Sequence, residues 1–168
     1  MITKQDVRRQ LRAQRAEMPI RQVIENSQQV LAGVLAILKN LTFSSLHCYE
    51  PIANLHEVDV SELFDLPDVA LYTSRKLDGA WHIVSVNSDI ATENPRLDVI
   101  IVPMLGFDKK LHRIGYGGGY YDRLLARYPQ ALKIGVCFEQ GRLEHLPAEP
   151  HDIPLNLIVT EKSAVIAV

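Results

Sequence analysis

The spacing of apolar residues predicts two helices at the start of the chain. Thr3 is a good N-cap for a helix that runs to about Met18, where Pro19 begins a new segment. A second helix is predicted over residues 20–39, because its apolar side chains recur every three or four residues. These apolar positions are Val23, Ile24, Val30, Leu31, Val34, Leu35 and Leu38.

Short apolar runs in the rest of the chain predict strands. The clearest is DVIIVP at residues 98–103, a β-branched run without alternation that is typical of a strand buried on both faces. The other predicted strands cover residues 44–51, 69–73, 81–86, 133–138 and 155–160. Short helices are predicted at residues 59–64 and after a glycine-rich segment, to about Tyr128. Strands that alternate with helices indicate an α/β fold with a mostly parallel sheet and helices on both faces, and ligands of such sheets bind beyond the carboxyl ends of the strands.

Length and composition predict an ordinary globular protein. The 168 residues are expected to form one domain, residues 1–168, with 47% hydrophobic and 23% charged residues. A net charge of -2 favours neither a nucleic-acid nor a membrane partner. Cys48 and Cys137 lie in apolar runs without metal-site spacing, so we expect two buried thiols in a reducing compartment. No apolar run approaches the roughly 18 residues of a membrane span. We expect a cytoplasmic monomer, with a dimer as the alternative.

The segment RIGYGGGYYDR, residues 113–123, carries the strongest chemical pattern. Glycine occupies positions 115, 117, 118 and 119, directly before a predicted helix. A glycine-rich loop at a helix start presents free N–H groups to an anion, and the flanking arginines add positive charge. The segment is neither a Walker A loop nor a GxGxxG fingerprint, and a purely structural turn is the alternative. With Asp122 as a possible metal ligand, the loop fits a phosphate that carries a metal ion.

Basic residues of the first predicted helix share one face. Lys4, Arg8, Arg12 and Arg15 are spaced by four, four and three residues. We interpret Arg12 and Arg15 as a solvated basic stripe. For Lys4 and Arg8, the spacing alone leaves open a solvated pair or a pair that straddles a polyphosphate.

Carboxylates and aromatic rings supply further candidates, each with a structural alternative. Asp122 and Asp152 could hold Mg²⁺ together with phosphate oxygens, or could cap a helix or a turn. Glu57 fits an acid near a helix start. Three tyrosines offer flat faces to an aromatic ligand or pack against the sheet: Tyr116, Tyr120 and Tyr121. Five histidines show no metal-site spacing and are interpreted as ordinary residues: His47, His82, His112, His145 and His151.

Taken in order, these motifs resemble one family. The runs are KQDVR (4–8), YEPIANLHEVDV (49–60), VPMLGFD (102–108), RIGYGGGYYDR (113–123) and HDIPLNLIVT (151–160). Together they resemble the 5-formyltetrahydrofolate cyclo-ligases, also called methenyltetrahydrofolate synthetases. The glycine segment is the most specific of the five, and the matches extend over nearly the whole chain.

The resemblance implies a fold, a reaction and a set of site residues. The fold is a three-layer α/β/α sandwich. The reaction is the ATP- and Mg²⁺-dependent closure of 5-formyltetrahydrofolate to 5,10-methenyltetrahydrofolate, with release of ADP and phosphate. The implied ATP contacts are Lys4, Arg8, Arg113, Gly115, Gly117, Gly118, Gly119, Tyr120 and Tyr121. The implied folate contacts are Ile52, Glu57, Tyr116 and Tyr120, the implied Mg²⁺ ligands are Asp122 and Asp152, and the implied catalytic residues are Arg113 and Tyr121.

The chain departs from the family pattern at two places. Leu111 stands where a glycine is usual, two residues before Arg113. The middle segment, from about residue 72 to residue 98, is short, with ENP at residues 93–95, and this region is expected to wall the folate pocket. The short segment motivates one alternative, a relative that binds nucleotide or folate without turning it over. A second alternative is an ATP-dependent ligase for another small molecule.

Overall fold

The first helix begins where its capping box closes. The computed structural model describes residues 2–166, so residue 1 and residues 167–168 of the predicted domain lie outside the described part. Thr3 accepts a hydrogen bond from Asp6 N–H at 3.2 Å and donates its own N–H to the Asp6 carboxylate at 3.1 Å. Helix α1 therefore spans Lys4–Ala16, and helix α2 spans Ile20–Leu38. Both helices are confirmed to within two residues.

The strands build one large sheet and one small sheet. They are β1 (Ser45–His47), β2 (Ala70–Leu77), β3 (Ala80–Ser85), β4 (Val99–Pro103), β5 (Gly106–Asp108), β6 (Arg113–Ile114), β7 (Leu132–Val136), β8 (Arg142–Leu143), β9 (Leu157–Val159) and β10 (Ala164–Ile166). The large sheet has the order β10-β9-β7-β4-β1-β2-β3. From β9 to β2 every neighbouring pair is parallel, while β10 and β3 are antiparallel edges. The mostly parallel sheet is confirmed.

Strand β4 lies at the centre of the sheet and divides the core between the two faces. Its five residues are all buried. Val99 and Ile101 pack in the cluster that contains the apolar face of α2, whereas Ile100 and Val102 pack in the cluster that contains Leu124 of helix α3 (Tyr120–Arg127). Because successive side chains of a strand point to opposite faces, one strand supports both helical layers. The three-layer α/β/α arrangement is confirmed.

The small sheet was not predicted. It has the order β6-β5-β8, and its strands are two or three residues long, too short for a periodicity signal. Ile114 of β6 packs with Leu11 of α1 in a buried cluster that also contains Leu105 and Leu146. This contact places α1 beside the segment that leaves the end of β4.

Both cysteines are free and buried, as expected for core residues. Cys48 and Cys137 are fully shielded from solvent, and burial raises the pKa of the Cys137 thiol to about 11. Among residues 2–166, no helix combines the length and apolar character needed to cross a bilayer.

Leu111, at the position where a glycine is usual, adopts a left-handed backbone conformation with φ of 61°. Its N–H donates to the Asp108 carbonyl at 3.0 Å, and its carbonyl accepts from Leu155 N–H at 3.1 Å. The side chain is completely buried in the cluster that contains α3. The turn thus keeps the conformation that favours glycine, and burial of the leucine side chain offsets the backbone strain.

We expect the usual stability order of alanine and glycine to be reversed at position 111. Both Leu111→Ala and Leu111→Gly lose core packing, at about 2–5 kcal/mol. Only glycine relieves the left-handed strain of about 1–2 kcal/mol. This gain exceeds the free energy that glycine costs through its greater loss of chain entropy on folding. Urea unfolding should therefore show Leu111→Gly about 0.5–1 kcal/mol more stable than Leu111→Ala.

Ala36, an exposed residue within α2, is the control. There, Ala36→Gly should lower the free energy of unfolding by about 1 kcal/mol, the normal order for a helix. A Leu111→Ala protein more stable than Leu111→Gly would contradict the strained-turn interpretation.

Candidate functional site

A cleft of about 1300 Å³ opens at the carboxyl ends of β1, β2 and β4. The structure brings together in it every site residue named from the sequence. These residues are Lys4, Arg8, Ile52, Glu57, Arg113, Gly115, Tyr116, Gly117, Gly118, Gly119, Tyr120, Tyr121, Asp122 and Asp152. They come from α1, from the segment after β1, from β6 and the loop and first turn of α3, and from the segment before β9, so the cleft exists only in the folded chain.

The glycine loop, residues 115–119, joins β6 to α3 and lines the cleft. Gly117 and Gly119 have φ values of 104° and 66°, so two of its four glycines occupy conformations that other residues rarely adopt. Gly119 is the N-cap of α3 and supplies no side-chain cap. The first helical bond runs from Arg123 N–H to the Gly119 carbonyl at 3.2 Å, so the preceding amides have no helical acceptor. Such a loop can bind an anion through its backbone.

Three arginines of α1 hold the glycine loop in place. Arg8 Nε donates to the Gly115 carbonyl at 3.1 Å, and Arg12 Nη2 donates to the Tyr116 carbonyl at 2.9 Å. Arg15 Nη1 donates to the Tyr116 hydroxyl at 3.1 Å, and its Nη2 donates to the Met104 carbonyl at 2.6 Å. Arg15 is only 4% exposed. The interpretation as a solvated stripe is therefore wrong for Arg15, which is buried against backbone carbonyls, whereas Arg12 is exposed as expected and also binds the loop.

The two aspartates of the cleft are each paired with a cation. Lys4 Nζ lies 2.6 Å from Asp152 and 2.6 Å from Glu149, and Arg113 Nη2 lies 2.7 Å from Asp122. Burial lowers the pKa of Arg113, and the charges of Asp122 and Asp152 oppose that effect. Burial also favours the neutral form of Asp152, but its hydrogen bonds with Lys4 and with Glu149 N–H and the nearby positive charges together outweigh burial and lower its pKa.

His151 is also part of this acidic corner, contrary to its interpretation as an ordinary residue. Its Nε2 lies 3.4 Å from Glu149 and 4.0 Å from Asp152. Potential ligand atoms of the three residues all lie within 4.8 Å of one another. Sequence analysis named Asp152 but not its neighbours Glu149 and His151, and local spacing does not predict the pairing of Asp152 with Lys4, 148 residues away.

Part of the cleft lining, here called the apolar wall, is apolar and aromatic. Ile52 and Trp81 are 50% and 53% exposed there, although both are large hydrophobic residues. The Trp81 ring lies 5.4 Å from the Tyr120 ring. Trp81 belongs to the β2–β3 hairpin within the short middle segment, and sequence analysis missed it because a hairpin tryptophan has no motif around it. This wall suits a flat, partly apolar ligand.

Glu57 also lines the cleft and is almost completely buried. Its Oε2 accepts a hydrogen bond from Ile52 N–H at 2.7 Å. Burial raises the pKa of Glu57, while this bond and the nearby Tyr116 hydroxyl oppose that effect. The Tyr116 hydroxyl therefore lies close to both Glu57 and Arg15 of α1.

A second polar chain reaches the cleft from the core. His47, at the end of β1, is completely buried, and its Nε2 lies 2.7 Å from Ser74 Oγ. Ser74 Oγ in turn is hydrogen-bonded to the Tyr120 hydroxyl. Burial lowers the pKa of His47 to about 4 and raises the pKa of Tyr121 well above its ordinary value.

Comparison with known proteins identifies relatives over most of the chain. The model of the 5-formyltetrahydrofolate cyclo-ligase family matches residues 33–161. The chain is 30% identical over 125 residues to the 5-formyltetrahydrofolate cyclo-ligase of Haemophilus influenzae, covering 71% of this chain and 64% of that protein. It is also 30% identical over 165 residues to that of Mycoplasma genitalium, covering 95% of this chain and 98% of the relative.

A solved structure shares the fold. The 5,10-methenyltetrahydrofolate synthetase of Aquifex aeolicus superposes with a TM-score of 0.81 at 27% identity, covering 98% of this chain and 93% of that one. Lys4 and Arg8 precede the segment that matches the family model, yet they line the same cleft as the glycine loop.

His47 should make the protein less stable in acid. An imidazole in the unfolded chain has a pKa of about 6.5, whereas burial lowers the pKa of His47 to about 4. Between these values only the unfolded state binds the proton, so the free energy of unfolding falls as the pH decreases. His47→Gln should abolish about 3 kcal/mol of the loss between pH 7 and pH 4, as measured by urea unfolding.

The exposed His145 provides the matched control. His145→Gln should leave the pH dependence of the wild-type protein unchanged. A His47→Gln protein with the wild-type dependence would show that acid destabilisation has another origin.

Proposed function

The chain belongs to the 5-formyltetrahydrofolate cyclo-ligase family, and we propose that it uses MgATP to convert 5-formyltetrahydrofolate to 5,10-methenyltetrahydrofolate, with release of ADP and phosphate. One observation carries the proposal. A single cleft joins an anion-binding loop with paired carboxylates to an exposed apolar wall, and Tyr116 and Tyr120 lie where the two meet. This arrangement fits a polyphosphate and a flat heterocycle held side by side.

The chemistry begins with a poor leaving group, the formyl oxygen, which is amide-like. Transfer of the γ-phosphoryl group to that oxygen forms an O–P bond, breaks the bond to the β-phosphate oxygen and releases ADP. We assign the nucleotide phosphates to the amides of residues 115–119 and to the side chains of Lys4, Arg8 and Arg113. These groups would stabilise negative charge on the transferring phosphoryl group.

Ring closure then takes place within one substrate. N10 of the folate attacks the activated formyl carbon, the carbon–oxygen bond breaks with loss of phosphate, and the N10 proton leaves to give the methenyl product. Ile52, Glu57, Tyr116 and Tyr120 would hold the folate bent, which brings N10 close to the formyl carbon. The raised pKa of Tyr121 keeps its hydroxyl protonated, so its proposed catalytic role is as a hydrogen-bond donor. No side-chain nucleophile is required.

Asp122 and Asp152 fit the metal ion that this reaction requires. Both are oxygen donors on the same cleft, and the charge of each acts on Arg113. Magnesium commonly takes one or two carboxylates together with substrate phosphates. Bound there, Mg²⁺ would neutralise charge on the phosphates of ATP.

We also propose that residues 1–168 form one domain and act as a cytoplasmic monomer without a nucleic-acid or membrane partner. The free, buried thiols and the net charge of -2 support this proposal.

The proposed reaction is tested directly with 5-formyltetrahydrofolate and MgATP. The methenyl product absorbs in the near ultraviolet, and ADP is measured in a coupled assay. Asp122→Asn should reduce turnover about 100-fold or more, because it removes one metal ligand and leaves Arg113 without its partner.

Glu144→Gln is the matched control, since Glu144 is an exposed acid outside the cleft. Unchanged turnover in Asp122→Asn would remove that residue from the metal site. Folate and ATP binding without ADP release by the wild-type protein would favour the binding relative, and turnover only with another formylated substrate would favour the other ligase.

The ion pairs of the cleft predict that metal and nucleotide bind together. Lys4 holds Asp152, so Mg²⁺ alone must displace an ammonium group, whereas the phosphates of MgATP offer that group a new partner. Lys4→Met should therefore change the calorimetric affinities for ATP and for Mg²⁺ alone in opposite directions. Affinity for ATP should fall about tenfold, while affinity for Mg²⁺ without nucleotide should rise.

Arg9→Met serves as the control, because Arg9 is 80% exposed on the same helix and pairs with Asp6 outside the cleft. It should leave both affinities unchanged. A Lys4→Met protein that binds Mg²⁺ more weakly than wild type would contradict the exchange of partners.

A further inference from the structure

The hydrogen bonds that link His47 and Ser74 to Tyr120 have no role in the assignments above. The chain begins in the core at His47, passes through Ser74 of β2, which lines the cleft, and ends at the Tyr120 hydroxyl. β1 and β2 are parallel neighbours, and His47 is paired with Tyr72, two residues before Ser74. The two strands therefore present His47 and Ser74 at the same edge of the sheet, beneath the start of α3.

Core packing alone does not account for His47. The imidazole is completely buried, and its Nδ1 has no hydrogen-bond partner among the described residues. Burial of a polar group with one unmet bond costs free energy, so an apolar residue would pack there at lower cost. The hydrogen bond of this imidazole goes to Ser74 at 2.7 Å.

Ser74 is suited to act as the bridge. A serine hydroxyl donates one hydrogen bond and also accepts, so it can join an imidazole nitrogen to a phenol whichever nitrogen of His47 carries the proton. Because His47 fixes the Ser74 hydroxyl, and that hydroxyl binds the Tyr120 hydroxyl, the Tyr120 side chain is fixed from the core side.

His47 also contacts the neighbouring tyrosine. Its ring meets the Tyr121 ring edge-on at 6.3 Å, and the rings of Tyr120 and Tyr121 lie 5.3 Å apart at 89°. Tyr120 in turn lies 5.4 Å from Trp81 on the apolar wall. The chain thus ends at a ring of the apolar wall, the part of the cleft assigned to the folate.

We propose that His47 and Ser74 are positioning residues, which fix the Tyr120 hydroxyl and ring and thereby set the affinity for the folate rather than for ATP. This inference rests on the proposed function, and neither residue is among those that the family resemblance implies.

Trp81 provides a measurement that does not depend on turnover. It is the only tryptophan in the sequence, half exposed and beside Tyr120. Its fluorescence should report binding of 5-formyltetrahydrofolate without ATP, and its emission in the free protein should report displacement of the Tyr120 ring.

Ser74→Ala should weaken folate binding and raise the KM for folate about tenfold, with the KM for ATP changed less than about twofold. Tyr120→Phe should have a similar effect. The double variant should be no weaker than Tyr120→Phe alone, since both changes break the same chain. Ser74→Thr, which keeps the hydroxyl, should bind within about threefold of wild type. His47→Leu should weaken folate binding in the same direction, although residue 47 lies outside the cleft.

Thr73→Val is the matched control on the same strand. Thr73 is completely buried with an unpartnered hydroxyl and does not line the cleft, so both KM values should stay unchanged. Additive effects of Ser74→Ala and Tyr120→Phe, or wild-type folate affinity in Ser74→Ala, would overturn the proposal. Equal increases of both KM values would do the same, because they would indicate a general structural defect.

Failure of the proposed function is recognised separately. If the wild-type protein binds the folate but forms no methenyl product, the reaction is wrong and the binding series still measures the positioning roles. If the wild-type protein binds no folate, the Trp81 emission of the ligand-free proteins still tests whether His47 and Ser74 position Tyr120. Ser74→Ala should then shift the Trp81 emission and Ser74→Thr should not, and identical spectra would overturn the proposal.

Discussion

The contact between α1 and the glycine loop is the interaction on which the site depends. A loop with two glycines in left-handed conformations has few side chains to fix it, so its shape must come from its neighbours. Arg8 and Arg12 bind its carbonyl groups, and Arg15 binds the Tyr116 hydroxyl from a buried position. With the carbonyl groups engaged by α1, the amides of the loop remain available to an anion. The same arginine side chains fix one helix and one end of the cleft.

Charge compensation explains how the cleft holds so many ionised groups. Arg113 and Asp152 are each largely shielded from water, and an unpaired charge at either position would cost free energy. Each is paired with a group of opposite charge, and the charges of Asp122 and Asp152 both raise the pKa of Arg113. In the proposed reaction, MgATP supplies a metal for the carboxylates and phosphates for the cations. The ion pairs therefore stabilise the site before ligands bind, and MgATP can replace the partner of each group when it binds.

The apolar wall is organised by burial rather than by charge. Glu57 and His47 are both shielded from water. Glu57 lies close to the Tyr116 hydroxyl, and His47 is hydrogen-bonded through Ser74 to Tyr120. Two buried polar groups from different parts of the chain thus lie beside two tyrosines of the cleft. A buried polar group holds its partner in a defined direction, because breaking its hydrogen bond costs much more free energy than breaking that of an exposed group.

The sequence by itself determined the helices, the central strand and the residues of the candidate site. The period of Ile20–Leu38, the apolar run of Val99–Pro103 and the glycines at 115–119 are local patterns, and local patterns are read directly from the order of residues. Only the tertiary structure decided the burial of Arg15, the pairing of Lys4 with Asp152 and the positions of Trp81, Ser74 and His47. These contacts join residues from 27 to 148 positions apart. No periodicity encodes such distances, because register and packing appear only when the sheet has formed.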